Sequence, residues 1–240
     1  MNVLVNGIHG KMGQVLQQEI DKIEDLEVVA GVSKDTDLST IEDNIDIIID
    51  FSTPAGTMNI LEYAKQKQLP IVIATTGFNQ EEQKIIKESS KEIPIFQSSN
   101  MSLEINIMCD MVAKLAKQLK NSDIEIIETH HRNKIDAPSG TAFMLANSIN
   151  ESLNNEMNYT YDRHSVKQKR TDKEIGINSI RGGTEVGKHS VMFFGDNESF
   201  EITHTVTSRS IFAKGAIQAA LFLKKQPNGY YNMKDLIKGE

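Results

Sequence analysis

The stretch Glu125-Ile-Ile-Glu-Thr-His-His-Arg-Asn-Lys-Ile-Asp-Ala-Pro-Ser-Gly-Thr-Ala142 gathers two histidines, a lysine, acids and a helix start. Each has a use at one site. His130 and His131 carry imidazoles, the side chain best suited to move a proton near neutral pH. Lys134 supplies a positive charge or a transferable proton, since an ammonium group loses its proton more readily in a dry site. Ser139, Gly140 and Thr141 open a helix whose first amides have no partner within it, and the dipole favours an anion there. Gly140 lets a ligand approach with no Cβ in the way. Together these groups suit a small dianion, such as a dicarboxylate, that is protonated as it reacts.

Singly, each residue also has an ordinary role. A His-His pair at a strand end is commonly half-buried and hydrogen-bonded, a loop lysine is solvated, and Ser-Gly-Thr serves as a cap. The concentration of complementary types in one loop turns the reading toward function. On a continuous strand the two histidines point to opposite faces, so only one faces a ligand unless the chain turns.

The positioning elements follow from pattern. Asp123 to Thr129 alternates Ile with acids, as a strand does, and Thr141 to Ser148 continues as a helix behind Asp136-Ala-Pro-Ser139. Upstream, Asn2 to Asn6 is a short apolar strand that leads into Gly7-Ile-His-Gly10-Lys-Met-Gly13. Helical spacing of Met12, Val15, Leu16, Ile20 and Ile23 comes next, then a strand over Leu26 to Val32. Strand, glycine turn, helix and strand is the context that a dinucleotide-binding loop requires.

Strands at Ile45 to Ile49, Pro70 to Ala74 and Ile93 to Phe96 alternate with helices, which predicts a doubly wound parallel sheet of Rossmann type. Ser52, Thr75, Thr76, Gly77 and Ser98 to Met101 fall at the strand ends that face the crevice of such a sheet. Met101 to Lys120 reads as a helix with an apolar stripe. Asn150 to Lys173 reads as a loop. Ile175 to Ile180, Gly187 to Phe194 and Ser199 to Thr207 read as consecutive antiparallel strands. The architecture expected is α/β, with a second α+β domain on a mostly antiparallel open sheet.

The run Glu125-Ile-x-Glu128-x-His130-His131-x-x-Lys134-x-Asp136-Ala-Pro-Ser-Gly-Thr-Ala142 resembles the signature of the 4-hydroxy-tetrahydrodipicolinate reductase (dihydrodipicolinate reductase) family of lysine and diaminopimelate biosynthesis. The resemblance extends from the glycine loop to Phe212-Ala-x-Gly-Ala216. It implies NAD(P)H-dependent reduction of a cyclic, imine-containing dicarboxylate with loss of water. Lys134 is then the proton donor and His130 the other acid/base group, while His131, Ser139, Gly140 and Thr141 hold carboxylates. Glu128 or Asp136 orients a histidine or pairs with Lys134, and Arg181 helps hold the substrate domain. His189 and His204 match family positions and read as structural.

The cofactor contacts implied are Gly7, Ile8, His9, Gly10, Lys11, Met12, Ser33, Lys34, Ala74, Thr75, Thr76, Ser98, Ser99, Asn100 and Met101. The family often carries an acid where Ser33 stands. Its absence, with Lys34 and Lys11 nearby, points to NADPH over NADH. The resemblance further implies that residues 1–101 and 210–240 form the nucleotide domain and 102–209 the substrate and oligomerisation domain. A homotetramer assembled through the second sheet would cover its open face and edges.

Composition excludes other classes. A net charge of −7 argues against nucleic acid as a partner, since phosphate binding needs clustered Lys and Arg. One cysteine, Cys109, fits a reducing cytoplasm. No apolar run reaches membrane-spanning length, and the adjacent histidines lack the ligand spacing of a metal site. Two rival readings remain: another nicotinamide oxidoreductase, acting on an amino acid or a sugar, and a nucleotide-sensing binding protein without turnover. A sensor has no need of a proton donor beside its anion site.

Overall fold

A computed structural model of the chain describes residues 1–41, 44–165 and 167–239. It divides into two compact units, Met1–Leu103 with Arg209–Glu240, and Glu104–Ser208.

The first unit alternates β1 (Asn2–Asn6), α1 (Lys11–Ile20), β2 (Glu27–Val32), β3 (Ile47–Asp50), α2 (Pro54–Lys67), β4 (Ile71–Ile73), α3 (Gln80–Ser89) and β5 (Pro94–Gln97). With β11 (Gly229–Tyr231) from the returning C-terminal segment, the six-stranded sheet has the order β11-β5-β4-β3-β1-β2 and is parallel throughout. Its strands are short, apolar and buried on both sides. Val3, Val5, Ile47 and Ile49 pack with Leu16 and Ile20 of α1, whereas Leu4 and Ile48 pack with Ile60, Leu61 and Ala64 of α2. That two-sided burial is why Ile47-Ile-Ile49 is a continuous apolar run. The chain leaves β1 toward β2 on one side and resumes at β3 on the other. The resulting switch point lies at the strand ends that carry Gly7 and Asp50.

In the second unit come α4 (Leu103–Gln118), β6 (Asp123–His130), α5 (Gly140–Ser152), β7 (Asn158–Thr160), β8 (Glu174–Arg181), β9 (Gly187–Phe194) and β10 (Ser199–Val206). Helices α4 and α5 cover one face through Ile105, Met108, Val112, Leu145 and Ile149, against Ile124, Ile126, Ile177, Val191 and Phe193 of the sheet. After it, α6 (Ser210–Leu223), β11 (Gly229–Tyr231) and α7 (Met233–Lys238) rejoin the first unit, where Ala213, Ala216 and Ala220 of α6 allow close packing on the sheet.

The second sheet departs from expectation in its pairing. Its order is β10-β9-β6-β8-β7, with β6–β8 and β7–β8 parallel and β6–β9 and β9–β10 antiparallel. It is therefore mixed, and β8 and β9 do not form a hairpin. The central strand β6, laid down earlier in the chain, takes the place between them. Strand β7 also lies inside the segment read as a loop. Three residues are too few to show alternation in a sequence, and β7 exists because β8 offers it a partner.

Candidate functional site

Strand β6 sets the second unit's site. Its even-numbered residues face the helices: Ile124 and Ile126 join the core, and Glu128 and His130 follow on the same face near the strand's end. Period-two geometry puts two buried polar groups side by side. Glu128 is fully buried. Arg181, directly opposite His130 on β8, grips it with a two-pronged fork, Nη1 to Oε2 and Nη2 to Oε1, both 2.7 Å. His130 Nδ1 lies 2.5 Å from Oε2, and the Ser139 amide donates to Oε1 at 3.2 Å.

Burial alone would raise the pKa of Glu128. Hydrogen bonds from Arg181, Ser179 and His130, with the Arg181 charge, outweigh that and bring it down to about 2. For His130, burial pushes the pKa below the usual imidazole value; Glu128 opposes the shift, and the charges of Lys134 and Arg181 add to it. The His130 ring meets the His189 ring edge to face, with centroids 5.1 Å apart. Burial is also the first cause that holds His189 down to about 4, with a further push from His130. His189 Nε2 sits 2.9 Å from Ser139 Oγ.

The chain leaves β6 at His131, whose amide donates to Glu185 O at 2.7 Å. His131 is half-buried off the end of the strand. Lys134, also half-buried, donates to Asp136 Oδ1 at 2.8 Å, and this bond lowers the Asp136 pKa. The alternatives left by sequence thus separate cleanly: Glu128 partners the histidine and Asp136 partners the lysine. Arg181 Nη2 also donates to Asp136 O at 2.7 Å, which ties this loop to the sheet.

Helix α5 begins with Ser139 as N-cap, its Oγ accepting from the Ala142 amide at 3.1 Å. Ser139 was expected to hold a carboxylate directly. Here its amide and hydroxyl are both committed inside the unit and its exposure is 2%, so it caps and anchors the helix. Gly140 is exposed, with nothing near the position a Cβ would occupy, and Thr141 is half-buried beside it. Glu125 belongs to the same sequence run but faces the other side of the sheet, where Arg163, Arg170 and Asn178 engage it. It is a structural residue.

In the first unit the glycine loop follows β1. Gly7 has φ +85°, and a Cβ there would stand 2.4 Å from Phe51 O. Gly13 is equally constrained, because a Cβ would lie 2.2 Å from Gly7 O. Gly10 caps α1 with no side-chain hydrogen bond, and no acid occupies the helix's first turn. The start of α1 is therefore open to an anion such as a pyrophosphate. His9 and Lys11 are exposed, whereas Ile8 and Met12 turn their side chains to the core and can offer only backbone. After β2, Ser33 is bound to Thr36 through amide and hydroxyl, and Lys34 and Asp35 are exposed.

A cluster that sequence reasoning missed lies beneath these loops. Asp50, fully buried, accepts from Asn6 Nδ2 at 2.8 Å, Ser52 Oγ at 2.5 Å and Thr57 Oγ1 at 2.6 Å. Burial raises its pKa, against the hydrogen bonds. The signal was present, since an acid closing a strand of three isoleucines needs donors. Thr75 is buried and accepts from the Ser52 amide, whereas Thr76 is exposed and Ala74 half-buried. Ser98 Oγ donates to Asn100 O, Ser99 is exposed, and Asn100 Oδ1 accepts from the Ser102 amide. Met101, expected among the cofactor contacts, is only 2% exposed and packs in the core near Phe96 and Ala216.

Comparisons with known proteins match the two parts of the chain separately. The family model described as dihydrodipicolinate reductase, N-terminus, matches residues 1–101, and the one described as dihydrodipicolinate reductase, C-terminus, matches 104–237. A 4-hydroxy-tetrahydrodipicolinate reductase of Caldanaerobacter subterraneus is 44% identical, covering 99% of this chain and 98% of its own. One from Clostridium tetani is 43% identical, over 97% and 95%. Among solved structures, a dipicolinate-bound dihydrodipicolinate reductase from Paenisporosarcina sp. TG-14 has a TM-score of 0.79 at 22% identity, over 97% of each chain, and so shares the fold.

Proposed function

The chain belongs to the dihydrodipicolinate reductase family, and from that premise we propose that it reduces 4-hydroxy-tetrahydrodipicolinate to tetrahydrodipicolinate with loss of water, using NAD(P)H. The observation that carries this reading is one segment of the second unit that runs from His130 at the end of β6 through His131 and Lys134 into the helix start at Gly140.

The nicotinamide cofactor supplies hydride when bound. Its pyrophosphate would be held at the start of α1, where the amides of His9, Lys11 and Met12 face no competing acid and those of Ile8 and Gly10 are already bound to Val32 O and Gly7 O. Thr76 and Ser99, exposed at strand ends, and Ala74, Thr75, Ser98 and Asn100 around them shape the ribose and ring region. NADPH is preferred, because Lys34 and Lys11 are exposed and Ser33 places no charge against a 2′-phosphate.

In the second unit, the amides and hydroxyl at Gly140 and Thr141 receive one carboxylate of the substrate, with Ser139 anchoring them. His131 and Lys134 face the anion from the loop. Lys134 gives its proton to the ring as hydride arrives, after exchanging Asp136 for the substrate. His130 is the second acid/base group. The substrate's negative charge takes the place of Asp136, whose carboxylate returns to water from its exposed position, so the exchange costs little.

Ile180 and Phe194, 50% and 40% exposed, lie on the sheet face that the helices leave open. A homotetramer in the cytoplasm, formed through that face, would bury them. Oxidation of NADPH and of NADH, coupled to freshly made product of the preceding synthase, tests the reading. Turnover with faster NADPH use is expected; activity only on an amino acid or a sugar would sink it. Lys134→Ala should lose about a thousandfold in kcat with cofactor affinity intact, and near-normal turnover removes Lys134 from the mechanism.

A further inference from the structure

Glu128 sits at a junction that an ion pair alone does not require. Each of its oxygens accepts two bonds: Oε2 from Arg181 Nη1 and His130, and Oε1 from Arg181 Nη2 and the Ser139 amide. Ser179 is a further donor to it, and an ionised carboxylate has no proton of its own to give, so it is an acceptor on every side. An acceptor facing Nδ1 requires a proton on Nδ1, which leaves the lone pair of His130 on Nε2. Space beside Nε2 is kept clear by Gly187, where a Cβ would come within 3.1 Å of that atom. The His189 ring, edge to face at 73°, fixes the plane of the imidazole.

We propose that Glu128, gripped by the Arg181 fork, is the positioning residue of this site. It fixes His130 as the Nδ1–H tautomer with Nε2 as the proton-transfer atom, and it holds the start of α5 in place through the Ser139 amide. One carboxylate thereby sets the acid/base group and the anion cradle relative to each other. The third arm of the site joins through the same fork, because Arg181 also holds the Asp136 carbonyl beside Lys134. This assignment rests on the proposed reductase activity only where it speaks of turnover. The charged and titratable groups that face His130 are Glu128 on β6, Arg181 on β8, His189 on β9 and Lys134 on the loop.

Imidazole 15N spectra of the whole protein read the tautomer directly, with the His130 signals assigned by their loss in His130→Asn. In the wild type, Nδ1–H is expected at neutral pH; a dominant Nε2–H form overturns the proposal, and needs no variant. Glu128→Gln keeps the shape but must turn an NH2 toward one neighbour. With its oxygen held by Ser139 and Arg181 Nη2, that NH2 meets Nδ1 and drives His130 to Nε2–H. The variant should fall about a hundredfold in kcat, with cofactor affinity unchanged and the His130 titration moved to lower pH. A folded Glu128→Gln with wild-type ring shifts and kcat within about threefold would overturn the proposal. If that variant does not fold, the wild-type spectrum decides alone. A wild-type enzyme that ignores the dicarboxylate sinks the functional reading and leaves the tautomer result standing.

Discussion

Asp50 and Glu128 are two fully buried carboxylates, each at or near the C-terminal end of a strand and each tied to the start of a helix. Asp50 meets neutral donors, Asn6, Ser52, Thr57 and Thr75, and its pKa is raised. Glu128 meets a guanidinium and its pKa falls to about 2. Burial opposes the charge in both. Hydroxyls and an amide offset part of that cost, whereas a fork of two charge-assisted bonds reverses it. The first unit thus uses a carboxylate as a tie beneath its glycine loop, and the second holds one as a permanent anion beside the acid/base group.

The largest effect expected breaks the second member of the pair. Glu128→Leu leaves Arg181 without its carboxylate and should cost about 3 kcal/mol in chemical denaturation. A loss under about 1 kcal/mol would mean that the fork behaves as a surface ion pair. A smaller effect sharpens the contrast through pH. Glu128 has a depressed pKa, so its contribution is present above the ordinary carboxylate range and is lost as pH falls toward about 2. Asp50 has a raised pKa, so its ionisation costs stability as pH rises through that value. The stability advantage of wild type over Glu128→Gln should therefore grow with pH, and that over Asp50→Asn should shrink. Slopes of the same sign, in denaturation series from about pH 3 to pH 8, would end the comparison.

The smallest effect concerns the two glycines above these carboxylates. Gly7 is fixed by its positive φ and by Phe51, but Gly140 has open space around it. Gly140→Ala should change stability by under about 0.5 kcal/mol, yet raise KM for the dicarboxylate severalfold by placing a methyl group where a ligand approaches. An unchanged KM would remove Gly140 from the binding surface.

Much of this was legible in the chain. Alternating apolar strands and helices announced the parallel sheet, since burial on both faces leaves continuous runs such as Ile47-Ile-Ile49. The cluster at His130, Lys134 and Ser139 was legible because its members lie within ten positions. Glu128 beside His130 also follows from period two, once β6 is known to bury its even face. The burial of Ser139 was not legible for the opposite reason, because it depends on groups distant in sequence.

Local order along the chain fixed the longer elements, the glycine turn and the types of reacting group, because those depend on periodicity and near neighbours. Tertiary structure alone decided that β6 lies between β8 and β9, that Arg181 reaches Glu128 across 53 positions and that Asn6 reaches Asp50 across 44. Strand register brings together residues that no local pattern relates, and a buried charge takes whichever partner that register delivers.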